Sequence, residues 1–417
     1  MKKQVKKRNG EIVLFNPANI VVAIEKSMSS IGNVWTSLAI EVAENVEEKL
    51  WINKDSYYIP TVDTIHDFVE KELMRSDLSD VAKSYIIYRN QNKPGIFRKR
   101  TNLKPYEYPE LEEYVNSIRH SYWIHDEFNY TSDIQDINVS LSTAERQAVV
   151  RAMLAISQIE VSVKTFWGEI YGRMPKPEIG SVGATFSESE VRHADAYSNL
   201  IKLLGLNDEF EELLDVPAIR RRIKYLERAI TNSKLVDNKE YFESIILFSI
   251  FVENVSLFSQ FLVIMAFNKH KNYLKGMSNV VEATSKEEQI HADFGFDLIN
   301  TIKKENPDWW TTRLQEEIKD ACLEAYDAEL GIIDWIFESG DLDFLSKKET
   351  IAFIENRFNT SMKQIGITPQ FTPNAQDLLN TEWFDDEVMV TKHTDFFNKR
   401  SINYTKRQKS ITKDDLF

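Results

Sequence analysis

The stretch FSESEVRHADAYSNLIKLLG, residues 186–205, sets Phe186, Glu190, His193, Tyr197, Leu200 and Leu204 at alternating spacings of four and three. Those positions form one face of an α-helix, and Gly205 stands where a left-handed helix end is expected. The face is apolar except for an acid, an imidazole and a phenol on successive turns. Three more segments repeat the pattern. Val149, Met153, Ile156, Glu160, Val163 and Trp167 form a stripe in a helix that opens at Ser142, where Ser142 and Glu145 suit a capping box. Ile246, Ile250, Glu253, Leu257 and Ile264 form the third stripe, and Val281, Thr284, Glu288, His291, Gly295 and Leu298 the fourth. Four inward faces therefore carry Glu160, Glu190, His193, Glu253, Glu288 and His291.

Carboxylates gathered in an apolar interior protonate or find cations, because burying their charge uncompensated is very costly. Single acids on two helices and a Glu-x-x-His on each of two others is the ligand set of ferritin-like dimetal bundles. One acid-x-x-His pair alone says little, and Asp63-Thr-Ile-His66 is a further instance here. The joint pattern on four apolar stripes points to two metal ions per chain, manganese or iron.

The rest of the composition agrees. The chain has 417 residues, with 65 acidic and 51 basic side chains and a net charge of −14, which argues against a nucleic-acid binder. Thirteen glycines and eleven prolines are few for a fold rich in tight turns and favour long helices. The single cysteine, Cys322, excludes an intrachain disulfide and a cysteine-built metal site. Ile245–Phe267 has the length of a membrane span, with Glu253 as its one charged residue, but its polar side chains favour a buried central helix. No apolar run follows the basic Met1–Asn9, so no secretory signal is expected and the expected location is cytoplasmic.

Ahead of the bundle, residues 1–95 read as a small α+β unit. The runs Gln4–Lys7 and Ile12–Phe15 flank Asn9-Gly10, a hairpin signal. Helical patterns follow at Pro17–Ser30, Thr36–Trp51, Val62–Met74 and Ser79–Asn90. Residues 96–118, with Pro105 and Pro109, read as a linker, 119–370 as the helical bundle and 371–417 as a flexible tail.

From about Tyr122 to Phe417 the chain resembles the radical-generating small subunit of class I ribonucleotide reductase. The resemblance rests on the order of the acids: Glu160, then Glu190-x-x-His193, then Glu253 in an apolar helix, then Glu288-x-x-His291. It implies Glu160, Glu190 and His193 on one metal, Glu253, Glu288 and His291 on the other, and Glu190 and Glu288 as bridges. It implies a radical-storing role for Tyr197 and a radical path through Trp123, with Glu287 as the acid that hydrogen-bonds the tryptophan. Many members have Asp at that place. Tyr404 resembles the tail tyrosine that passes the radical across the interface, and Asp414-Asp415-Leu416-Phe417 the peptide that docks on the large subunit. A homodimer of this subunit is implied as well.

The first ninety residues resemble an ATP-cone, on the evidence of VKKRNG at 5–10 and AKSYIIYR at 82–89. That likeness implies ATP and dATP as effectors, with Lys7, Arg8, Asn16, His66 and Arg89 lining the site and a dATP-induced higher oligomer. The family often has lysine where Asn19 stands. Two other readings fit part of the pattern: a different ferritin-like dimetal oxidase or ferroxidase, and a non-catalytic helical interaction protein. The first explains the ligands but not Trp123, Tyr404 or the acidic tail; metal-free folding with unchanged stability would support the second.

Overall fold

The computed structural model of the chain describes residues 3–7, 11–32, 34–52, 58–91, 104–163, 165–233 and 237–389. Arg8, Tyr404 and Asp414–Phe417 lie outside the described residues. The chain divides into two units, Met1–Pro94 and Gly95–Phe417.

In the first unit, strands Gln4–Lys6 and Ile12–Leu14 pair antiparallel with Val5 opposite Val13. Four helices follow, Ala18–Ser30, Thr36–Trp51, Val62–Arg75 and Ser79–Gln91. Their apolar positions, among them Ile24, Met28, Val42, Val46, Leu50, Val69 and Leu73, close into one core. Thr61 caps the third helix by accepting the Thr64 N–H at 3.1 Å. This is the small α+β unit expected from the hairpin signal and the four helical periods.

The second unit is a bundle of long helices. The Glu160 helix is Thr143–Val163, and its capping box forms: the Ser142 N–H donates to Glu145 Oε2 at 2.8 Å and the Glu145 N–H to Ser142 Oγ at 3.3 Å. The first Glu-x-x-His helix is Pro177–Leu204 and ends on Gly205 at φ 69°, the left-handed turn that glycine adopts without strain. The second Glu-x-x-His helix is Lys275–Glu305. The Glu253 segment runs from Asn238 to Lys271, long and apolar enough to span a membrane, but its most apolar window is wholly buried inside the bundle. It packs on the second Glu-x-x-His helix and on the Glu160 helix.

Three features depart from the sequence expectations. The Glu253 segment is not one α-helix: α-helical turns at Asn238–Leu247 and Phe258–Lys271 flank a π-helical stretch, Phe248–Ser256, that carries Glu253. The expected linker 96–118 already contains bundle, because Pro109–Ser121 is a helix that buries Leu111, Val115 and Ile118. Pro109 stands at the start of that helix, where its missing N–H costs nothing. The expected tail 371–417 begins as packed structure, since helix Glu382–Met389 buries Phe384 and Val388 and Arg357 bonds Asp385 at 3.2 Å.

The π stretch and the second Glu-x-x-His helix touch at Gly295. A Cβ there would stand 2.3 Å from Ser249 Cβ, so a methyl group forces the two elements apart. Gly295→Ala is expected to cost about 1–3 kcal/mol of stability, as overpacking of tight cores does. Urea unfolding of the metal-free protein measures it; an unchanged midpoint would show that the contact yields freely.

Candidate metal centre

The six ionisable groups converge. Glu160, Glu190, His193, Glu253, Glu288 and His291 are each at most 2% exposed. His193 Nδ1 lies 3.0 Å from Glu288 Oε1 and 3.7 Å from Glu190 Oε2. His291 Nδ1 lies 3.2 Å from Glu190 Oε1, 3.3 Å from Glu288 Oε2 and 3.4 Å from Glu253 Oε2. Glu190 and Glu288 thus each sit between both imidazoles. Potential ligand atoms fall into two sets, Glu160, Glu190 and His193, and Glu190, Glu253, Glu288 and His291, each set within 4.8 Å.

The six groups do not balance in charge when all are ionised. Two imidazolium ions cancel only two of the four carboxylate charges, whereas two divalent cations cancel all four and leave the imidazoles neutral to ligate. Burial pushes the Glu160 and Glu253 carboxyls well above their usual range, and neighbouring carboxylates add to it. Burial opposes charge on Glu288 too, but the imidazoles of His193 and His291 beside it hold it well below. Burial also opposes charge on both imidazoles, and the acids around them raise them well above the usual value all the same. Both oxygens of Glu160 and of Glu190, Glu288 Oε2 and the Nδ1 atoms of both histidines have no hydrogen-bond partner, although all are buried. Unpaired donor atoms aimed at a common centre are what a metal pair requires.

The surrounding shell fixes the other end of several of these groups. His193 Nε2 lies 2.8 Å from Glu287 Oε2, and His291 Nε2 lies 2.9 Å from Ser189 Oγ. Such partners on the far nitrogen leave Nδ1 free and oriented, as in ligating histidines generally. The Trp167 indole N–H donates to Glu253 Oε1 at 2.7 Å. Trp167 and Ser189 carried no chemical signal in the sequence beyond their places on or beside the acid-bearing stripes.

Trp123 is buried and stacks on His193, with ring centroids 5.8 Å apart and planes at 14°. The expected bond between Glu287 and this tryptophan does not form, and Trp123 Nε1 has no partner. Arg192 takes the carboxylate instead, its two Nη atoms 3.1 and 3.2 Å from the two oxygens of Glu287. The Ser121 hydroxyl adds a bond to Glu287 at 3.1 Å, and Arg192 also reaches Glu188 at 2.9 Å and the Trp123 carbonyl at 3.1 Å. Tyr197 is buried one turn beyond His193. Burial and the nearby Glu160 charge push its phenol well above its usual range. The hydroxyl has no hydrogen bond of good geometry, and Thr284 Oγ1, its polar neighbour, is unpaired as well.

In the first unit the expected nucleotide contacts have other partners. Arg89 is held by Glu70 at 2.6 Å, Asp67 at 2.8 Å and Asp63 at 3.6 Å, so a phosphate must compete with three acids. His66 Nδ1 lies 2.8 Å from the Tyr85 hydroxyl. Asn16 Oδ1 accepts the Ala18 N–H at 3.1 Å, and Lys7 pairs with Glu11 at 3.0 Å near the surface.

Breaking a buried ion pair by removing one partner costs about 3–5 kcal/mol. Arg192→Met is expected to fall in that range, because it strands the Glu287 carboxylate at zero exposure. Chemical unfolding measures it, and a loss below ~1 kcal/mol would mean that His193 and Ser121 suffice to hold Glu287.

Residues 100–377 match the family model of the ribonucleotide reductase small chain, and residues 3–94 that of the ATP cone domain. The chain is 26% identical over 330 residues to a probable ribonucleoside-diphosphate reductase small subunit of Invertebrate iridescent virus 3, an alignment covering 76% of this chain and 86% of that one. The ribonucleotide reductase R2 subunit from Clostridium botulinum superposes with a TM-score of 0.64 at 17% identity, over 71% of this chain and 94% of that one. An R2-like ligand-binding oxidase with a Mn/Fe cofactor superposes at 0.53 and 19% identity, over 63% and 95%. At those identities the two structures speak for the ferritin-like fold. The small-chain match spans most of the chain and contains all six converging groups: the chain belongs to the ribonucleotide reductase small-chain family, the radical-generating side of that oxidoreductase, and carries an ATP-cone domain ahead of it.

Proposed function

We propose that the bundle holds two metal ions, manganese or iron, with Glu160, Glu190 and His193 about one, Glu253, Glu288 and His291 about the other, and Glu190 and Glu288 shared. The observation that carries this reading is the pair of buried donor sets that have Glu190 in common, with unpaired atoms on Glu160, Glu190, His193, Glu288 and His291. The Mn/Fe cofactor of the structurally similar oxidase is in keeping with it. Held by these residues and oxidised by an oxygen species, a metal pair would supply a strong one-electron oxidising equivalent.

The chain's own residues would store and conduct it. Tyr197 would give an electron to that oxidising equivalent and its phenolic proton to the nearby Glu160 carboxylate, leaving a neutral radical screened from solvent by burial. Trp123, stacked on His193, is the first step of the path out, and Tyr404 in the tail the next. Asp414–Phe417 docks on a separate large subunit. The reduction of a ribonucleotide by a thiol pair belongs to that partner: Cys322 stands alone, and burial pushes its thiol up to about 12. The subunit works as a homodimer in the cytoplasm.

Residues 1–95 act as the activity sensor. ATP favours the active form and dATP an inhibited higher oligomer, by differential binding to the two states. Lys7, Arg8, Asn16, His66 and Arg89 are the proposed contacts, and Arg89 must exchange its acids for phosphate to take part.

EPR of the metal-loaded, oxidised protein tests the storage site. A narrow tyrosyl doublet that Tyr197→Phe abolishes is expected. A broad multiline manganese signal without the doublet would put the oxidising equivalent on the metals and leave Tyr197 structural. Deleting residues 1–95 is expected to abolish dATP inhibition and preserve basal turnover with the large subunit; inhibition that survives the deletion would remove the sensor from this module.

A further inference from the structure

The π-helical stretch that carries Glu253 is gripped from outside by the helix Lys347–Gln364. Ser361 Oγ donates to the Ile250 carbonyl at 2.7 Å and accepts from Asn254 Nδ2 at 2.7 Å. Arg357 Nε donates to the Asn254 carbonyl at 2.7 Å, and its Nη2 to Asn254 Oδ1 at 2.8 Å and to Gln289 Oε1 at 2.9 Å. Its Nη1 donates to Asp385 at 3.2 Å. The guanidinium lies 3.4 Å from the centre of the Phe258 ring. Arg357 is 4% exposed and Ser361 fully buried.

The places these bonds reach matter. Asn254 directly follows Glu253, and Gln289 directly follows Glu288. One guanidinium therefore ties together the residues next to two carboxylates that approach from different helices. The carbonyls of Ile250 and Asn254 both belong to the π stretch, whose wide turn is rare and less favourable than the α-helix and recurs at functional sites. On the opposite side Trp167 fixes Glu253 Oε1. If the outer grip is lost, the stretch is free to relax toward α-helical register, which turns Glu253 about the helix axis.

We propose that Arg357 and Ser361 are positioning residues: they hold Phe248–Ser256 in its π turn and so aim Glu253 at the second metal position. This rests on the dimetal reading above. It adds a site-selective role for a helix that supplies none of the six converging groups.

The test uses the full chain, stripped of metal and titrated with Mn(II), with the free ion read by EPR and backbone hydrogen exchange followed alongside. The parent protein is expected to bind two ions. Ser361→Ala and Arg357→Met are each expected to weaken one ion at least tenfold and leave the other within twofold. Exchange should quicken within residues 248–256 and stay unchanged in the Glu160 helix. Arg357→Lys, which keeps the charge but not the fork, should not restore the affinity. A purely packing role would lower thermal stability and leave both affinities as they were, which would overturn the proposal. Should Arg357→Met not fold, Ser361→Ala decides, as it removes one oxygen. Two undiminished sites in folded Ser361→Ala sink the positioning role alone. A parent protein that binds no Mn(II) sinks the dimetal reading, and this role with it.

Discussion

Four carboxylates and two imidazoles, all buried, set the terms for the whole bundle. Withdrawing each charged group from water costs several kcal/mol even after relaxation. The two imidazoles neutralise at most two of the four acids, so the other two hold protons until cations take their place. A protein that keeps such a cluster must spread the ligands over rigid elements and bring in cations. The four long segments that cross at the site do the first, and the donor atoms left unpaired at Glu160, Glu190, Glu288, His193 and His291 are shaped for the second.

Much of the remaining structure serves to orient those atoms. Glu287 and Ser189 occupy the far nitrogens of the histidines, and Trp167 occupies one oxygen of Glu253. Each therefore presents one free atom inward. Glu287 in turn needs Arg192, and Arg192 reaches the backbone of Trp123, so the stacked indole belongs to the same hydrogen-bonded unit as the histidine it covers. The Trp123 N–H is left without a partner, which sets this chain apart from the arrangement that the family resemblance led one to expect.

The sequence was most legible where a local rule acts alone. The helices of the first unit follow their apolar periods closely, the Ser142–Glu145 box and the Gly205 end form as their residue types require, and all six inward ionisable groups lie where their stripes place them. Legibility failed where a second element decides. The π stretch is buried on every side, so its sequence has no polar face from which a change of helical register could be read. Arg192 sits one residue before His193, yet nothing local says that its partner is Glu287, ninety-five residues away. Arg89 looked available to a phosphate until the acids of the Val62–Arg75 helix closed on it. Pro105 and Pro109 read as connector, although proline also opens helices, and helix Glu382–Met389 is too short to stand out by period.

The two units thus differ in their physics: in the small domain an arginine is held by three acids, and in the bundle buried acids and imidazoles face one another. Crystals of the protein soaked in Mn(II) and measured at the manganese edge would locate the ions by anomalous scattering. The account predicts two peaks inside the bundle, one beside Glu160 and His193 and one beside Glu253 and His291, with Glu190 and Glu288 between them. Peaks confined to surface acids, with the six buried groups left bare, would contradict it.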